Sequence, residues 1–205
     1  NRAKRNSIAK PMSAPFRIAL FGGTFDPIHE GHLEIAEKAH TALSLDQVLF
    51  LPCRQSPHKK SGPLASDKDR LQMIKLATHE LDWASVSDFE LQLPLPSYTW
   101  QTVEALKPTL PPKAQLFLLI GLDQWQSLPR WTHPEKLAAA LELIVVGRDG
   151  EPGSRLGYRS HFLPGNHPAS ASEIRKDLAE NKRPHWLPRK VFNFISKKDL
   201  YKSDP

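Results

Sequence analysis

Short apolar runs alternate along this chain with longer stretches in which apolar residues recur every three or four positions. Four of the runs are typical of buried strands. They are FRIALF (16–21), QVLFLP (47–52), AQLFLLIG (114–121) and LELIVVG (141–147). AQLFLLIG is the most continuous of them and is predicted to be a central strand. ASVSDFEL (84–91), which alternates apolar and polar residues, and the short HFLP (161–164) are predicted as further strands.

The stretches between these strands have the apolar spacing of helices. They are GHLEIAEKAHTALSL, DKDRLQMIKLATHELDW, YTWQTVEAL, HPEKLAAAL, SASEIRKDLAEN and LPRKVFNFISKK. Ser66 and Asp69 resemble a capping box at the start of the second helix. Strands that alternate with helices indicate parallel βαβ units. We therefore expect an α/β fold, a doubly wound parallel sheet with helices on both faces and a small C-terminal helical segment.

Length and composition place this pattern in one folded unit. A chain of 205 residues can bury a substantial core, and no repeat or low-complexity linker divides it. Residues 1–15 hold four basic residues and no acidic one, without apolar periodicity, and are predicted to be a disordered basic tail. Residues 16–205 are predicted to form a single domain.

The net charge of +6 depends largely on that tail. Four of the 28 basic residues lie in it, so that 24 basic residues stand against 22 acidic ones in the rest of the chain. A body so close to neutral does not indicate a nucleic-acid partner. No apolar run approaches the roughly 20 residues of a membrane span, and the N-terminus lacks the apolar core of a secretory signal. The single cysteine, Cys53, excludes an internal disulfide and favours a cytoplasmic location.

The segment FGGTFDPIHEGH (21–32) carries the first candidate chemistry. Gly22 and Gly23 follow the first strand, where a backbone without Cβ atoms lets a ligand approach closely. His29 and His32 lie at the start of the following helix, whose unpaired N–H groups favour an anion. The spacing suits a phosphate site, but it also suits an ordinary turn. A zinc site would need a third ligand, and neither common glycine-rich phosphate loop is present.

The whole segment resembles the signature of the HxGH nucleotidylyltransferases, with His29-Glu30-Gly31-His32 in the signature position. Further segments follow in that family's order. They are PHK (57–59), SYTWQT (97–102), LIGLDQWQSLPRW (119–131), SASEIR (170–175) and VFNFISKKDLY (191–201). The resemblance spans roughly residues 16–202, and the combination resembles the bacterial nicotinate-nucleotide adenylyltransferases. Ala169 and the prolines of PLPSYT depart from the usual pattern in detail.

The resemblance implies a Rossmann-like nucleotidylyltransferase that joins ATP to nicotinate mononucleotide, with Mg²⁺ bound alongside ATP. The product is nicotinic acid adenine dinucleotide, a step in NAD biosynthesis. The implied catalytic residues are His29, His32 and Arg175. The implied ATP-binding residues are Gly22, Gly23, Thr24, Phe25, His58, Lys59, Gly121, Asp123 and Ser172. The implied mononucleotide-binding residues are Tyr98, Thr99 and Trp131. No protein ligand for a metal is implied, and no oligomeric state is predicted.

Several alternatives stay open at the level of sequence. Ser170 and Glu173 could form a capping box, which is compatible with a phosphate site at the same helix start. Asp123, expected to accept a hydrogen bond from a ribose hydroxyl, could instead cap a helix. Related adenylyltransferases that act on nicotinamide mononucleotide or pantetheine phosphate are competing functions. A catalytically silent nucleotide-binding regulator is another.

Overall fold

A computed structural model of the protein describes residues 14–54, 62–147 and 153–202. Most of the predicted basic tail therefore lies outside the described residues. Within the described residues, the strands are β1 (Arg17–Gly23), β2 (Gln47–Pro52), β3 (Ala84–Val86), β4 (Gln115–Gly121), β5 (Glu142–Gly147) and β6 (Ser160–Pro164). The helices in this part of the chain are α1 (Glu30–Leu43), α2 (Asp67–Thr78), α3 (Phe89–Gln92), α4 (Thr99–Leu106), α5 (Leu122–Ser127), α6 (Pro134–Ala140), α7 (Ala171–Ala179) and α8 (Arg189–Lys198). Short 3-10 turns follow α4 (Lys107–Thr109) and α5 (Leu128–Arg130).

The strands form one parallel sheet in the order β3-β2-β1-β4-β5-β6. This is the doubly wound arrangement that the alternation of strands and helices predicts, and the prediction is confirmed. The strand order reverses between β1 and β4, where Leu20 is in register with Leu118. In open α/β sheets, ligands bind beyond the carboxyl ends of the strands at such a switch point.

The core lies on both faces of the sheet, because successive side chains of a strand point to opposite faces. Ala19 and Phe21 of β1 pack on the face covered by α1, α2, α7 and α8. Ile18 and Leu20 pack on the face covered by α4, α5 and α6. Burial on both sides explains why the central strands read as continuous apolar runs rather than alternating ones. Within the described residues, no helix has both the length and the apolar character needed to cross a membrane.

Some element boundaries differ from the sequence prediction. The strand predicted over residues 84–91 is wrong after Val86, because the Ser87 hydroxyl accepts a hydrogen bond from the Phe89 N–H (3.2 Å) and the chain turns into α3. The second helix ends at Thr78 rather than Trp83, and α5 was not predicted. Half of the capping box predicted at the start of α2 is confirmed, since the Ser66 hydroxyl accepts from the Asp69 N–H at 3.1 Å. The Asp69 carboxylate accepts from the Ser66 hydroxyl (2.7 Å) instead of the Ser66 N–H.

Candidate active site

A cavity of about 710 Å³ opens at the carboxyl ends of the strands and spans the switch point. On the β1 side it is lined by predicted phosphate-site residues, namely Gly22, Gly23, Thr24 and His32. On the α4 and α5 side it is lined by Thr99, Asp123 and Trp131, which sequence placed with the two nucleotides. The fold thus gathers around one cavity residues that are up to 109 positions apart, from Gly22 to Trp131.

The two glycines at the end of β1 differ in their surroundings. A Cβ atom on Gly22 would meet no other atom within 4 Å, so this residue borders open space. A Cβ atom on Gly23 would lie 2.8 Å from the ring of Phe25. Phe25 itself is buried, with a left-handed backbone (φ 48°), and its ring packs edge-on against Phe21. Gly23 is therefore required by packing, whereas Gly22 keeps the backbone open to the cavity.

The histidine pair occupies the start of α1, as the sequence predicts. His29 is the N-cap residue, and its backbone N–H donates to His32 Nδ1 at 3.2 Å. Because Nδ1 is an acceptor, the ring proton of a neutral His32 lies on Nε2. The two rings stack with their centroids 3.8 Å apart. His32 lines the cavity, and His29 lies buried beside it.

The protonation of His29 follows from its burial. Desolvation, with a smaller contribution from nearby His167, lowers the pKa of His29 to about 4. The imidazole is therefore neutral at pH 7. Its Nδ1 is buried and has no hydrogen-bond partner among the described residues. At pH 7, His29 therefore adds no positive charge at the helix start.

Asp26 fastens the loop between β1 and α1 to three distant parts of the chain. Its buried carboxylate accepts hydrogen bonds from the N–H groups of Leu64 (2.8 Å) and Ala65 (3.1 Å) and from the Tyr201 hydroxyl (2.7 Å). Burial and the neighbouring Asp26 raise the pKa of Tyr201, which therefore stays a donor. Arg175 of α7 donates to the Asp26 carbonyl at 2.6 Å. The predicted catalytic arginine therefore does reach the loop that carries the glycines.

A second arginine, which was not predicted from the sequence, forms a hydrogen bond with the same loop. Arg70 of α2 is fully buried and donates from Nη1 to the Thr24 carbonyl at 2.6 Å. Its Nη2 donates to Asp67 at 2.5 Å, which balances the charge of the guanidinium. Nothing local in the sequence identifies Arg70, because it lies on a helix that reads as a regular amphipathic one. Only the fold brings it to Thr24, 46 positions earlier.

The start of α7 differs in detail from the sequence prediction. Ser170 is the N-cap residue, but its side chain makes no capping hydrogen bond, so the proposed capping box with Glu173 is wrong. The Ser170 hydroxyl lies instead 2.7 Å from the hydroxyl of Ser172, which is exposed. The helix start is left with two adjacent hydroxyls facing outward from the same turn.

The wall opposite β1 is built by α4 and α5. Tyr98 is the N-cap residue of α4, and Thr99 lies in its first turn. Trp131 follows α5, and its indole N–H donates to the Ser127 hydroxyl at 3.2 Å. Asp123 is not a cap, because Gly121 occupies the N-cap position of α5. A Cβ atom on Gly121 would lie 2.6 Å from the Asp123 carboxylate, so glycine there gives this side chain its room.

Two predicted site residues, His58 and Lys59, lie outside the described residues. The cavity wall also contains residues that the sequence did not single out, namely Cys53, Glu90, Thr102 and Arg130. Burial raises the pKa of Glu90 to about 7, and burial together with Glu90 raises the pKa of the Cys53 thiol. Glu90 was hidden by the wrong strand prediction, which gave no reason to place it at a cavity.

Comparison with known proteins bears on the same residues. The cytidylyltransferase-like family matches residues 20–177 of the chain. A protein of Methylacidiphilum infernorum, described as a probable nicotinate-nucleotide adenylyltransferase, is 40% identical over 190 residues, covering 91% of this chain and 92% of that protein. A Thermus thermophilus protein of the same description is 39% identical over 189 residues, covering 91% of this chain and all of that protein.

Solved structures share the fold. Nicotinic acid mononucleotide adenylyltransferase of Plasmodium falciparum, complexed with NaAD, superposes with a TM-score of 0.74 at 19% identity, covering 90% of this chain and 97% of that one. The same enzyme complexed with APC gives a TM-score of 0.70 at 18% identity, covering 90% and 96% of the two chains. At this level of identity, the likeness is one of architecture.

Proposed function

This chain belongs to the cytidylyltransferase-like family, among its nicotinate-nucleotide adenylyltransferases, and from that membership we infer that it transfers the adenylyl group of ATP to nicotinate mononucleotide. The products are nicotinic acid adenine dinucleotide and pyrophosphate. The observation that carries this function is a continuous cavity across the switch point, which joins the end of β1 to the wall containing Thr99 and Trp131. One cavity that holds both ends of a dinucleotide is what the reaction requires.

The reaction requires that the two substrates be positioned and that the developing negative charge be stabilised. The nucleophile is a phosphate oxygen of the mononucleotide, which is already anionic at neutral pH, so no strong general base is needed. Two anions must be brought together in line, while negative charge grows on the α-phosphate and the leaving pyrophosphate. Pre-oriented N–H donors in a partly dehydrated site stabilise such charge effectively. His32 Nε2, held at the start of α1 and facing the cavity, is a donor of this kind.

The proposed roles follow from where each residue lies. His32, with its Nδ1 held by the His29 backbone, donates from Nε2 to the phosphates. His29 holds this arrangement at the N-cap of α1, and Arg175 supplies a fixed positive charge beside the glycine loop. Ser172 adds a hydroxyl at the start of α7. His58 and Lys59 are proposed to bind the ATP phosphates, and Asp123 is proposed to accept a hydrogen bond from the ATP ribose.

A divalent cation is expected with the triphosphate, and we propose that it is Mg²⁺. Among the described residues, no three His, Cys, Asp or Glu side chains converge to hold a metal ion. Mg²⁺ in nucleotide sites takes most of its ligands from phosphates and water, so it can arrive on ATP without such a protein cluster. When bound, the ion neutralises part of the charge on the β- and γ-phosphates. A cytoplasmic location and the absence of a nucleic-acid partner remain predictions from the sequence.

The acceptor assay tests the function directly. The protein is incubated with Mg-ATP and, separately, nicotinate mononucleotide, nicotinamide mononucleotide or pantetheine phosphate. Pyrophosphate release and formation of the adenylylated product are measured together. We expect the highest kcat/KM with nicotinate mononucleotide. Turnover of another acceptor with no product from nicotinate mononucleotide would overturn the proposed substrate.

The two glycines of β1 provide a matched pair of substitutions. Gly22→Ala is expected to leave the free energy of unfolding nearly unchanged and to raise the KM for ATP by about tenfold, because the added methyl enters open cavity space. Gly23→Ala is expected to lower the free energy of unfolding by about 1–3 kcal/mol, since its methyl would overlap the buried Phe25 ring. Denaturant unfolding and steady-state kinetics measure both. A normal KM for ATP in the Gly22 variant would place the phosphates elsewhere.

Trp131 is proposed to stack on the pyridine ring of the acceptor. Trp131→Ala is expected to raise the KM for the mononucleotide by about tenfold, since aromatic stacking adds to the apolar area that the ring buries. The KM for ATP in the same variant serves as the internal control and should change little. Trp131→Phe, which keeps an aromatic face, should recover much of the loss. A larger effect on ATP than on the mononucleotide would assign Trp131 to the other half of the site.

A further inference from the structure

The cavity has a carboxyl group on each side of the central loop. Asp123 lies in the first turn of α5, directly after β4. Glu90 lies in α3, which follows β3 on the opposite side of β1 in the strand order. Both residues line the same cavity. In the strand order, β1 lies between β3 and β4, so the Gly22–Thr24 loop at the end of β1 lies between the two carboxyl groups. This arrangement matches the chemistry of a dinucleotide, in which one ribose lies on each side of the pyrophosphate.

Among the described residues, Glu90 has no partner that would explain its place in the cavity wall. The described residues offer its carboxyl group neither a hydrogen bond nor an ion pair, although the side chain is partly buried and desolvation raises its pKa. A carboxyl group in such a place is costly unless something satisfies it. The Cys53 thiol lines the same cavity, and the charge of Glu90 contributes to raising the thiol pKa. A thiol is only a weak hydrogen-bond donor. No stabilising contact within the described part of the chain therefore accounts for this side chain.

We propose that Glu90 is the ribose-binding carboxylate for the mononucleotide, accepting hydrogen bonds from its hydroxyl groups as Asp123 is proposed to do for ATP. This assignment rests on the proposed function. With a pKa of about 7, a share of Glu90 is ionised at neutral pH. The ionised form repels the phosphate and the nicotinate carboxylate, and the pyridine ring of nicotinate offers it no N–H or O–H donor. The vicinal hydroxyls of ribose are therefore the groups of this substrate that it can bind. Acidic side chains bind ribose hydroxyls at the corresponding edge of other dinucleotide folds.

The position of Glu90 assigns it to the acceptor half rather than to ATP. Helix α3 packs against β2 and α4, and α4 carries Thr99, one of the proposed mononucleotide residues. Asp123 already occupies the wall at β4. Each nucleotide then has its own carboxylate, and the two phosphates meet at the loop between them.

The test pairs a substitution in the protein with a deletion in the substrate. Glu90→Gln keeps the size of the side chain and removes its charge. We expect it to raise the KM for nicotinate mononucleotide by about tenfold, with the KM for ATP nearly unchanged. The 2′-deoxy and 3′-deoxy mononucleotides are then compared with the parent compound. The wild-type enzyme should discriminate against at least one of them by about tenfold, and the variant should lose most of that discrimination.

Controls separate this role from a structural one. Glu37→Gln makes the same chemical change at an exposed position on α1 and should leave every kinetic constant unchanged. An unchanged mononucleotide KM in Glu90→Gln would overturn the proposal, as would a full deoxy penalty retained in the variant. So would an increase confined to ATP, or a loss of stability with normal kinetics. The proposed function is judged on the wild-type enzyme alone. If that enzyme uses nicotinamide mononucleotide instead, the same comparison is made with that substrate, whose ribose is identical.

Discussion

Replacing His32 with alanine is expected to lower kcat by about 100- to 1000-fold, the range observed when one preorganised donor to a developing oxyanion is removed. His32 lines the cavity, and the His29 N–H fixes its Nδ1 as an acceptor, so that Nε2 carries the proton that a phosphate oxygen can accept. If the bond to phosphate strengthens as charge develops, the loss falls mainly on kcat rather than on the KM for either substrate.

The His32 variant should still fold, which makes the kinetic result interpretable. Its side chain is only partly buried and packs mainly against the rings of His29 and Phe25. Circular dichroism and thermal unfolding check the fold. His32→Gln, whose amide N–H extends about as far as Nε2, should retain more activity than the alanine variant. His185→Ala, at an exposed position not among the cavity-lining residues, serves as the control. A kcat within threefold of wild type in His32→Ala would show that His32 does not stabilise the phosphates.

The sequence predicted those parts of the site that one short segment forms by itself. The glycines and His32 lie within eleven residues of one another. The residue types that favour a strand, a turn and a helix can all be recognised in this segment. The central strands were equally legible, because β1 and β4 are buried on both faces and read as apolar runs. The parallel order then places the end of β1 at the switch point.

Contacts between distant segments could not be predicted in the same way. Tyr201 reaches the carboxylate of Asp26 across 175 positions, and a tyrosine near the end of a helix is usually explained by packing alone. Arg70 is fully buried, whereas an arginine on an amphipathic helix is ordinarily expected on its solvent side. Glu90 was missed for a local reason, since the Ser87 hydroxyl ends β3 sooner than the alternating pattern suggested.

Arg175 is expected to produce the second large effect, because it combines a contact to the loop with a charge for the phosphates. Arg175→Ala should lower kcat/KM for ATP by about 100-fold or more, in line with the loss of a charge-assisted donor to phosphate. Its guanidinium donates from Nη1 to the Asp26 carbonyl at 2.6 Å, which fixes the direction of the fork. Arg175→Lys keeps the charge and loses the planar fork, so we expect it to recover only part of the activity.

The stability of the Arg175 variants distinguishes the two contributions. If the arginine served only to hold the carbonyl of Asp26, the alanine variant would lose stability, and saturating ATP would restore most of the turnover. If Arg175 also binds the phosphates, kcat falls at saturating ATP as well, because its positive charge no longer stabilises the negative charge that develops on the phosphates in the transition state. Lys176→Ala, an exposed neighbour on α7, removes one positive charge without either contact and should leave kcat unchanged. A normal kcat in Arg175→Ala would reduce the residue to a structural support of the loop.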